Sequence, residues 1–598
     1  MVIFAIELIN SEKVNFLRNL LAAILGCLVA FGILCLMFMI FISLASADEG
    51  ILIKDNSVLE FQLKSPVSDY TGNSKSDPFA GLFEESQGLD EILHAIKIAK
   101  DDKRISGISI NGNFLIAGMA QTQAIRNALK DFKSTGKFIY AYGDVYFQKD
   151  YYLSTVADSI FLNPVGGMDF KGLAAEVLFF KDLQEKTGVK MEVIRHGKYK
   201  SAVEPYLADE MSDDNRTQIK ELIGSLWNDM VEDISEARSL STTSVNVIAD
   251  TLGGRTPEYA KKSGLVDELL YADQYEGIIK KATGTDADED QNYVALSDYI
   301  FEANKKKIYK GNEEIAVIFA QGEIFYGEGG PDFIGQGIIT RALRKAKEDE
   351  DIKAVVLRVN SPGGSALTSD IIWREVELLK ESKPVVVSMG DVAASGGYYI
   401  AVGANKIFAE PTTITGSIGV FGTIPNISEL AGNIGINAEQ VGTNENSVDY
   451  SLFEPMTNNF RIQMEEGIAA TYSTFLERVS QGRGITVAQA DSLAQGRVWS
   501  GTDALRLGLI DELGGLEKAI EAAAELAELE TFRIKKLPKY KSGLTRFLEE
   551  IGGVSSKAKT DFIREELGDE AYGIFQEVKS AMKQKGIQVR MPFTLHIK

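Results

Sequence analysis

The sequence predicts an α/β fold built twice in tandem behind an N-terminal transmembrane helix, and three observations predict it. Short apolar strand patterns alternate with amphipathic helix patterns, as in a largely parallel sheet covered by helices. The alternation then returns: ILHAIKIAKDDKRISGISI from Ile92 reappears as ITRALRKAKEDEDIKAVVL from Ile339. At the same spacing of 247 residues Asp144 pairs with Asp391, Tyr151 with Tyr398, Tyr152 with Tyr399 and Pro164 with Pro411. Finally, no charged residue occurs between Arg18 and Asp48, a run of 29 positions. A helix needs about 20 apolar residues to cross a bilayer.

The N-terminal run comes first. Lys13 and Arg18 precede it, while Asp48 and Glu49 follow. The positive-inside bias therefore places the short N-terminus in the cytoplasm and everything after the run outside. Ala45-Ser46-Ala47 resembles a signal-peptidase site, yet the run exceeds the roughly 7–15 apolar residues of a secretory signal. Residues 1–47 are thus expected to form a cytoplasmic N-terminus and an uncleaved anchor. Both cysteines, Cys27 and Cys35, lie in this run, which leaves no thiol nucleophile and no internal disulfide beyond it.

The strands and helices follow in order. GILIKDNSVLEFQLK (50–64) contains an alternating strand pattern, and 65–88 reads as a loop. LDEILHAIKIAKDD is an amphipathic helix, ISGISIN a strand, QTQAIRNALKDFKSTG a helix ending at glycine, and KFIYAYG a strand. The second copy gives IITRALRKAKED, AVVLRVN, SDIIWREVELLKES, KPVVVSMG and NKIFAEP in the same order. Gly264-Leu265-Val266-Asp267-Glu268-Leu269 returns as Gly508-Leu509-Ile510-Asp511-Glu512-Leu513, Glu204-Pro205 as Glu454-Pro455, and Arg255 as Arg497. These matches set the repeats at 48–308 and 309–530. The extension 531–598 carries helix patterns around 544–552 and 560–584 and has no counterpart in the first half. At 598 residues the chain is long enough for two or more cores.

Composition excludes some functions. The net charge is −22, from 85 acidic and 63 basic residues, with no long basic run. Binding to nucleic acid is not expected of such a chain. His94, His196 and His596 are scattered, and neither HExxH nor CxxC occurs. No metal site and no cofactor is expected.

The chemistry concentrates in the second copy. Asn360-Ser361-Pro362-Gly363-Gly364-Ser365 follows an apolar strand and precedes a helix. Adjacent glycines there let amides converge on an oxyanion. After the next strand comes Ala393-Ala394-Ser395-Gly396-Gly397-Tyr398, where small neighbours would expose the Ser395 hydroxyl to a substrate backbone. The first copy has Phe147-Gln148-Lys149-Asp150 instead. A serine needs a base, and this repeat contains no histidine. A lysine serves if burial depresses its pKa. The first copy offers Lys198 and Lys200 in RHGKYKSAVEP, whereas VGTNENSVDYSLFEP in the second has no lysine. Serine in one copy and lysines in the other point to one shared site. Asp391 recurs as Asp144 in the copy without the serine, which marks it as structural.

DVAASGGYY, NSPGGS, TGSIGVFG and GKYKSAVEP together resemble the signal peptide peptidase A (protease IV) family in its long two-repeat form. The resemblance covers nearly all of the chain after the anchor. It implies a Clp-protease/crotonase-like fold in each repeat and a serine endopeptidase of the inner (cytoplasmic) bacterial membrane, facing the periplasm. It further implies cleavage of released signal peptides and other apolar peptides, a Ser/Lys dyad and a homotetramer. Carried over by motif, Ser395 is the nucleophile and Lys200 the general base, with Lys198 the competing base. Gly363, Gly364 and the amide of Gly396 are the oxyanion donors, and Ser417 orients the lysine amine. Small or aliphatic side chains at the cleavage position are implied as well. Two other readings stand beside this one: a crotonase-like acyl-thioester enzyme and a catalytically inactive membrane scaffold.

Overall fold

In the computed structural model, residues 19–34, 36–37, 53–72, 87–112, 114–448, 450–540, 587–591 and 596–597 are described. Most of the expected anchor is covered only in part. Residues 19–34 are helical and exposed, and among the described residues no helix is long and apolar enough to cross a membrane. The helix patterns at 544–552 and 560–584 lie outside the described residues, as does Cys35.

Each repeat builds a parallel sheet of the same order. In the first, six strands run Tyr293–Ala295, Ser57–Phe61, Ile105–Asn111, Phe138–Tyr146, Ser159–Met168 and Glu268–Leu269. In the second, Arg533–Leu537, Glu314–Gln321, Ile352–Ser361 and Val385–Ala394 succeed one another in parallel. Two strands then pair with the end of that row, Lys406–Ala409 and Ile414–Gly416. Glu512–Leu513 joins the former in parallel and Val498–Ser500 the latter antiparallel. The strand Arg533–Leu537 stands where Tyr293–Ala295 stands in the first copy, so part of the C-terminal extension completes the second sheet.

The repeated sequence folds as repeated packing. Helix Leu89–Asp101 buries Ile92, Ala95, Ile96 and Ala99, and helix Gln336–Glu348 buries Ile339, Ala342, Leu343 and Ala346. These are the i, i+3, i+4, i+7 positions of one stripe, and each residue lies 247 positions from its mate. Each buried Ile or Leu contributes about 1.5–3 kcal/mol against its own sheet. The central strands read as near-continuous apolar runs, such as AVVL at 354–357, because helices cover both faces. The strand Ser57–Phe61 likewise buries nearly every position where alternation was expected.

The repeats are joined by shared elements. Helix Asp213–Arg238 of the first copy sends Ile219, Leu222 and Leu226 into a cluster with Ala394, Ile414 and Val498 of the second. A third sheet mixes both copies. Its order is Phe333–Gly335, Glu323–Phe325, Gly363–Ser365, Ile587–Arg590, Val420–Asn426 and Lys190–His196. The last pair is antiparallel, with Val420 opposite His196 and Asn426 opposite Lys190. That pairing delivers the chain just before Lys200 to the second repeat.

Candidate active site

Ser395 ends the strand Val385–Ala394 and precedes helix Gly396–Ala401. Its backbone is strained, at φ 55° and ψ −112°, a conformation costing about 1–3 kcal/mol for a residue with a side chain. Two bonds hold it: Ser395 N–H donates to Gly416 O (2.8 Å), and Tyr399 N–H donates to Ser395 O (2.8 Å). Gly396 is the first residue of the following helix, so its amide has no intrahelical acceptor.

Lys200 arrives from the other repeat. Its Nζ lies 2.9 Å from Ser395 Oγ, 2.9 Å from Ser417 Oγ and 3.1 Å from Ser417 O. Ser395, Lys200 and Ser417 are all 0 % exposed. Burial alone pulls the Lys200 amine well below the usual lysine range, with no carboxylate to counter it. As an ammonium, its three N–H groups serve the three oxygens. As a neutral amine it has one lone pair, which can accept the Ser395 proton while its remaining N–H groups keep Ser417.

The lysine is clamped by backbone. Tyr199 N–H donates to Gln495 O (2.7 Å), Gly496 N–H to Ile418 O (2.8 Å), and Ser417 N–H to Arg497 O (2.6 Å). Gly496 has φ 81°, and a Cβ there would stand 2.6 Å from Lys200 Cβ. Gly419 presses on the other side, where a Cβ would lie 3.1 Å from Lys200 Cδ. Sequence reasoning missed both glycines as site residues, although Gly419 lies within the TGSIG motif and Gly496 beside the repeated Arg497.

The other expected residues fall as follows. Lys198 is exposed and paired with Asp214 at 2.9 Å, which raises its pKa, first by hydrogen bond and then by charge. Gly363 and Gly364 form the strand Gly363–Ser365 at φ 96° and 152°, conformations that favour glycine. Gly363 N–H donates to the buried Ser361 Oγ at 3.1 Å, so Ser361 shapes this loop. Asp391 accepts the Gln121 N–H at 3.0 Å at the start of helix Met119–Lys133, and a Cβ on Gly118 would collide with it. It ties the second sheet to the first repeat.

Comparison with known proteins gives the family of the chain. The pattern of Peptidase family S49 matches twice, at residues 131–284 and 377–530, and that of Clp protease matches 306–445. Protease 4 of Haemophilus influenzae is 38 % identical over 449 residues, spanning 73 % of this chain and 72 % of that protein. Protease 4 of Salmonella typhi is 39 % identical over 459 residues, spanning 75 % and 74 %. The chloroplastic serine protease SPPA of Arabidopsis thaliana is 32 % identical over 486 residues, spanning 80 % and 70 %. These matches displace the acyl-thioester and scaffold readings.

Proposed function

The chain belongs to peptidase family S49 as a serine protease of the protease 4 type, and from that premise we propose a Ser/Lys-dyad mechanism with a site shared by both repeats. The observation that carries the proposal is the 2.9 Å contact of Lys200 Nζ with Ser395 Oγ inside a fully buried site. Neutral Lys200 takes the Ser395 proton as Ser395 Oγ bonds to the peptide carbonyl carbon. The resulting ammonium, held by Ser417 Oγ and O, returns that proton to the departing amine as the C–N bond breaks. Water then repeats the sequence on the acyl-enzyme, with Lys200 again accepting and returning the proton.

The Gly396 amide, with the Gly363-Gly364 strand beside it, is assigned to the oxyanion. Gly363 N–H is engaged by Ser361 Oγ, so its participation requires that bond to open. The substrates proposed are extended apolar peptides, including signal peptides left in the membrane. The uncharged N-terminal run supports anchoring in the inner membrane with the catalytic body outside. A homotetramer, and the repeat limits 48–308 and 309–530 with the strand Arg533–Leu537 added to the second, belong to the same proposal.

Labelling with a serine-reactive phosphonate tests the dyad. Ser395 is expected to be the labelled residue, Lys200→Ala to lose labelling and Lys198→Ala to keep it. Equal loss in both lysine variants would overturn the choice of base.

A further inference from the structure

Lys200 sits on a loop of the first repeat, but the frame that locates this loop belongs to the second. Helix Val487–Leu493 ends at Ala494, and Gln495 follows with φ 54°. A left-handed residue just past a helix end is ordinarily glycine or asparagine. Gln495 takes that backbone with a longer side chain, and both ends of its amide are engaged. Nε2 donates to Asp491 Oδ1 (2.5 Å) and to Tyr472 Oη (3.2 Å), and Oε1 accepts the Lys198 N–H (3.4 Å). The Gln495 N–H donates to the same Tyr472 oxygen (3.2 Å), and Tyr472 in turn donates to Asp491 Oδ1 (2.5 Å). Tyr472 comes from the long helix Asn458–Arg483, and its side chain is buried. Burial, and then the bond to Asp491, push the phenol pKa up, which keeps its O–H a donor.

This side-chain cluster holds a backbone that bonds to the base's loop and to its companion serine. Gln495 O accepts the N–H of Tyr199, one residue before Lys200. Next along the chain, Gly496 N–H donates to Ile418 O and Arg497 O accepts the Ser417 N–H. A Cβ on Gly197 would stand 2.7 Å from the Gln495 carbonyl, so the lysine's loop packs directly on that residue. The Tyr472 ring also lies against the His196 ring, with centroids 4.3 Å apart, at the end of the strand that delivers the loop. Lys200 and Ser417 are therefore located through one segment, and a glutamine side chain fixes its conformation.

We propose that Gln495, braced by Tyr472 and Asp491, is the positioning residue for the base and sets where the Lys200 amine stands between Ser395 and Ser417. The inference rests on the dyad reading above. Without the brace Gln495 relaxes out of its left-handed conformation, and the lysine moves with the Tyr199 amide. Proton transfer then suffers, since a misplacement near 1 Å costs on the order of 100-fold, while peptide binding does not.

The test uses the full-length protein in detergent, with hydrolysis of a fluorogenic peptide and thermal unfolding as readouts. Tyr472→Phe keeps the ring on His196 and removes only the hydroxyl. Gln495→Gly suits the left-handed backbone and removes only the side chain, so its unfolding midpoint should change little. Each is expected to lower kcat by about tenfold or more with KM within about twofold. Asp491→Ala should do the same, and Asp491→Asn, which keeps an acceptor oxygen for both donors, should recover most of the loss. Rates within about twofold of wild type in Tyr472→Phe and Gln495→Gly, or a loss that falls on KM, overturn the proposal. A double-mutant cycle fixes the route. Tyr472→Phe added to Lys200→Ala should cost nothing further, because the base it places is gone. An undiminished loss in that pair overturns the inference. Lys200→Ala alone hydrolysing peptide like the wild type would instead sink the dyad itself.

Discussion

At equivalent points the first repeat sets Gln148 and the second sets Ser395. In the first, helix Gln148–Ser154 begins one residue earlier, after Phe147 at φ −76° and ψ 160°, with no strained turn. Gln148 Nε2 donates to Gly172 O (2.8 Å), and its Oε1 accepts the amides of Lys171 (3.0 Å) and Gly172 (2.8 Å). The position that carries a nucleophile in one copy is a clasp in the other. The converse holds at the base. Lys200 is buried, while Tyr450, four residues before the matching Glu-Pro, is 40 % exposed. A duplicated scaffold can thus keep its core and divide its reactive groups, because the stripe residues and the site residues lie on different elements.

This contrast can be broken most sharply at its two ends. Ser395→Ala should lower peptide hydrolysis on the order of 10⁴-fold or more, with the unfolding midpoint nearly unchanged. Gln148→Ala should do the reverse. Hydrolysis stays within about threefold, while stability measured by denaturant falls by about 1–3 kcal/mol as the Lys171 and Gly172 groups lose their partner.

The clamp on the lysine is the next target. Gly496→Ala places a methyl against Lys200 in a backbone conformation that favours glycine, and a displacement near 1 Å should cost about 100-fold in kcat. Gly508→Ala is the control. It has φ 73° with open space around it, so it should cost some stability and leave kcat intact.

Asp391→Asn is expected to have the smallest effect on rate, within about threefold, because the acid braces a helix. Burial, and then the charge of Asp69, push its pKa up to about 6. Between about pH 4 and 6 the folded protein keeps a proton that the unfolded chain has released. The contribution of Asp391 to stability therefore falls as pH rises through that window. Thermal unfolding across pH should show this slope in the wild type and a flatter one in Asp391→Asn.

Much of this was legible in the sequence, and the reasons are local. The stripe from Ile92 and its twin from Ile339 announce helices by period, and Gly363-Gly364 and Ser395-Gly396 announce turns that need small residues. Long-range pairing leaves no such mark. Nothing periodic in Lys190–His196 says that it joins Val420–Asn426, and that pairing is what brings Lys200 to Ser395. Ile587–Arg590 is four residues long, too short for any pattern to stand out. The Gly496 contact needed the lysine's position before its purpose could be read.

The central claim is that the first repeat supplies the base for the serine of the second, and the pH dependence of kcat/KM tests it most directly. Burial lowers the Lys200 pKa, so the neutral, proton-accepting form grows as pH rises. The rate should climb with pH and level off below the ordinary lysine value, and the residual activity of Lys200→Ala should lack this rise. A profile that falls through neutral pH, or the same rise persisting in Lys200→Ala, would contradict the shared site.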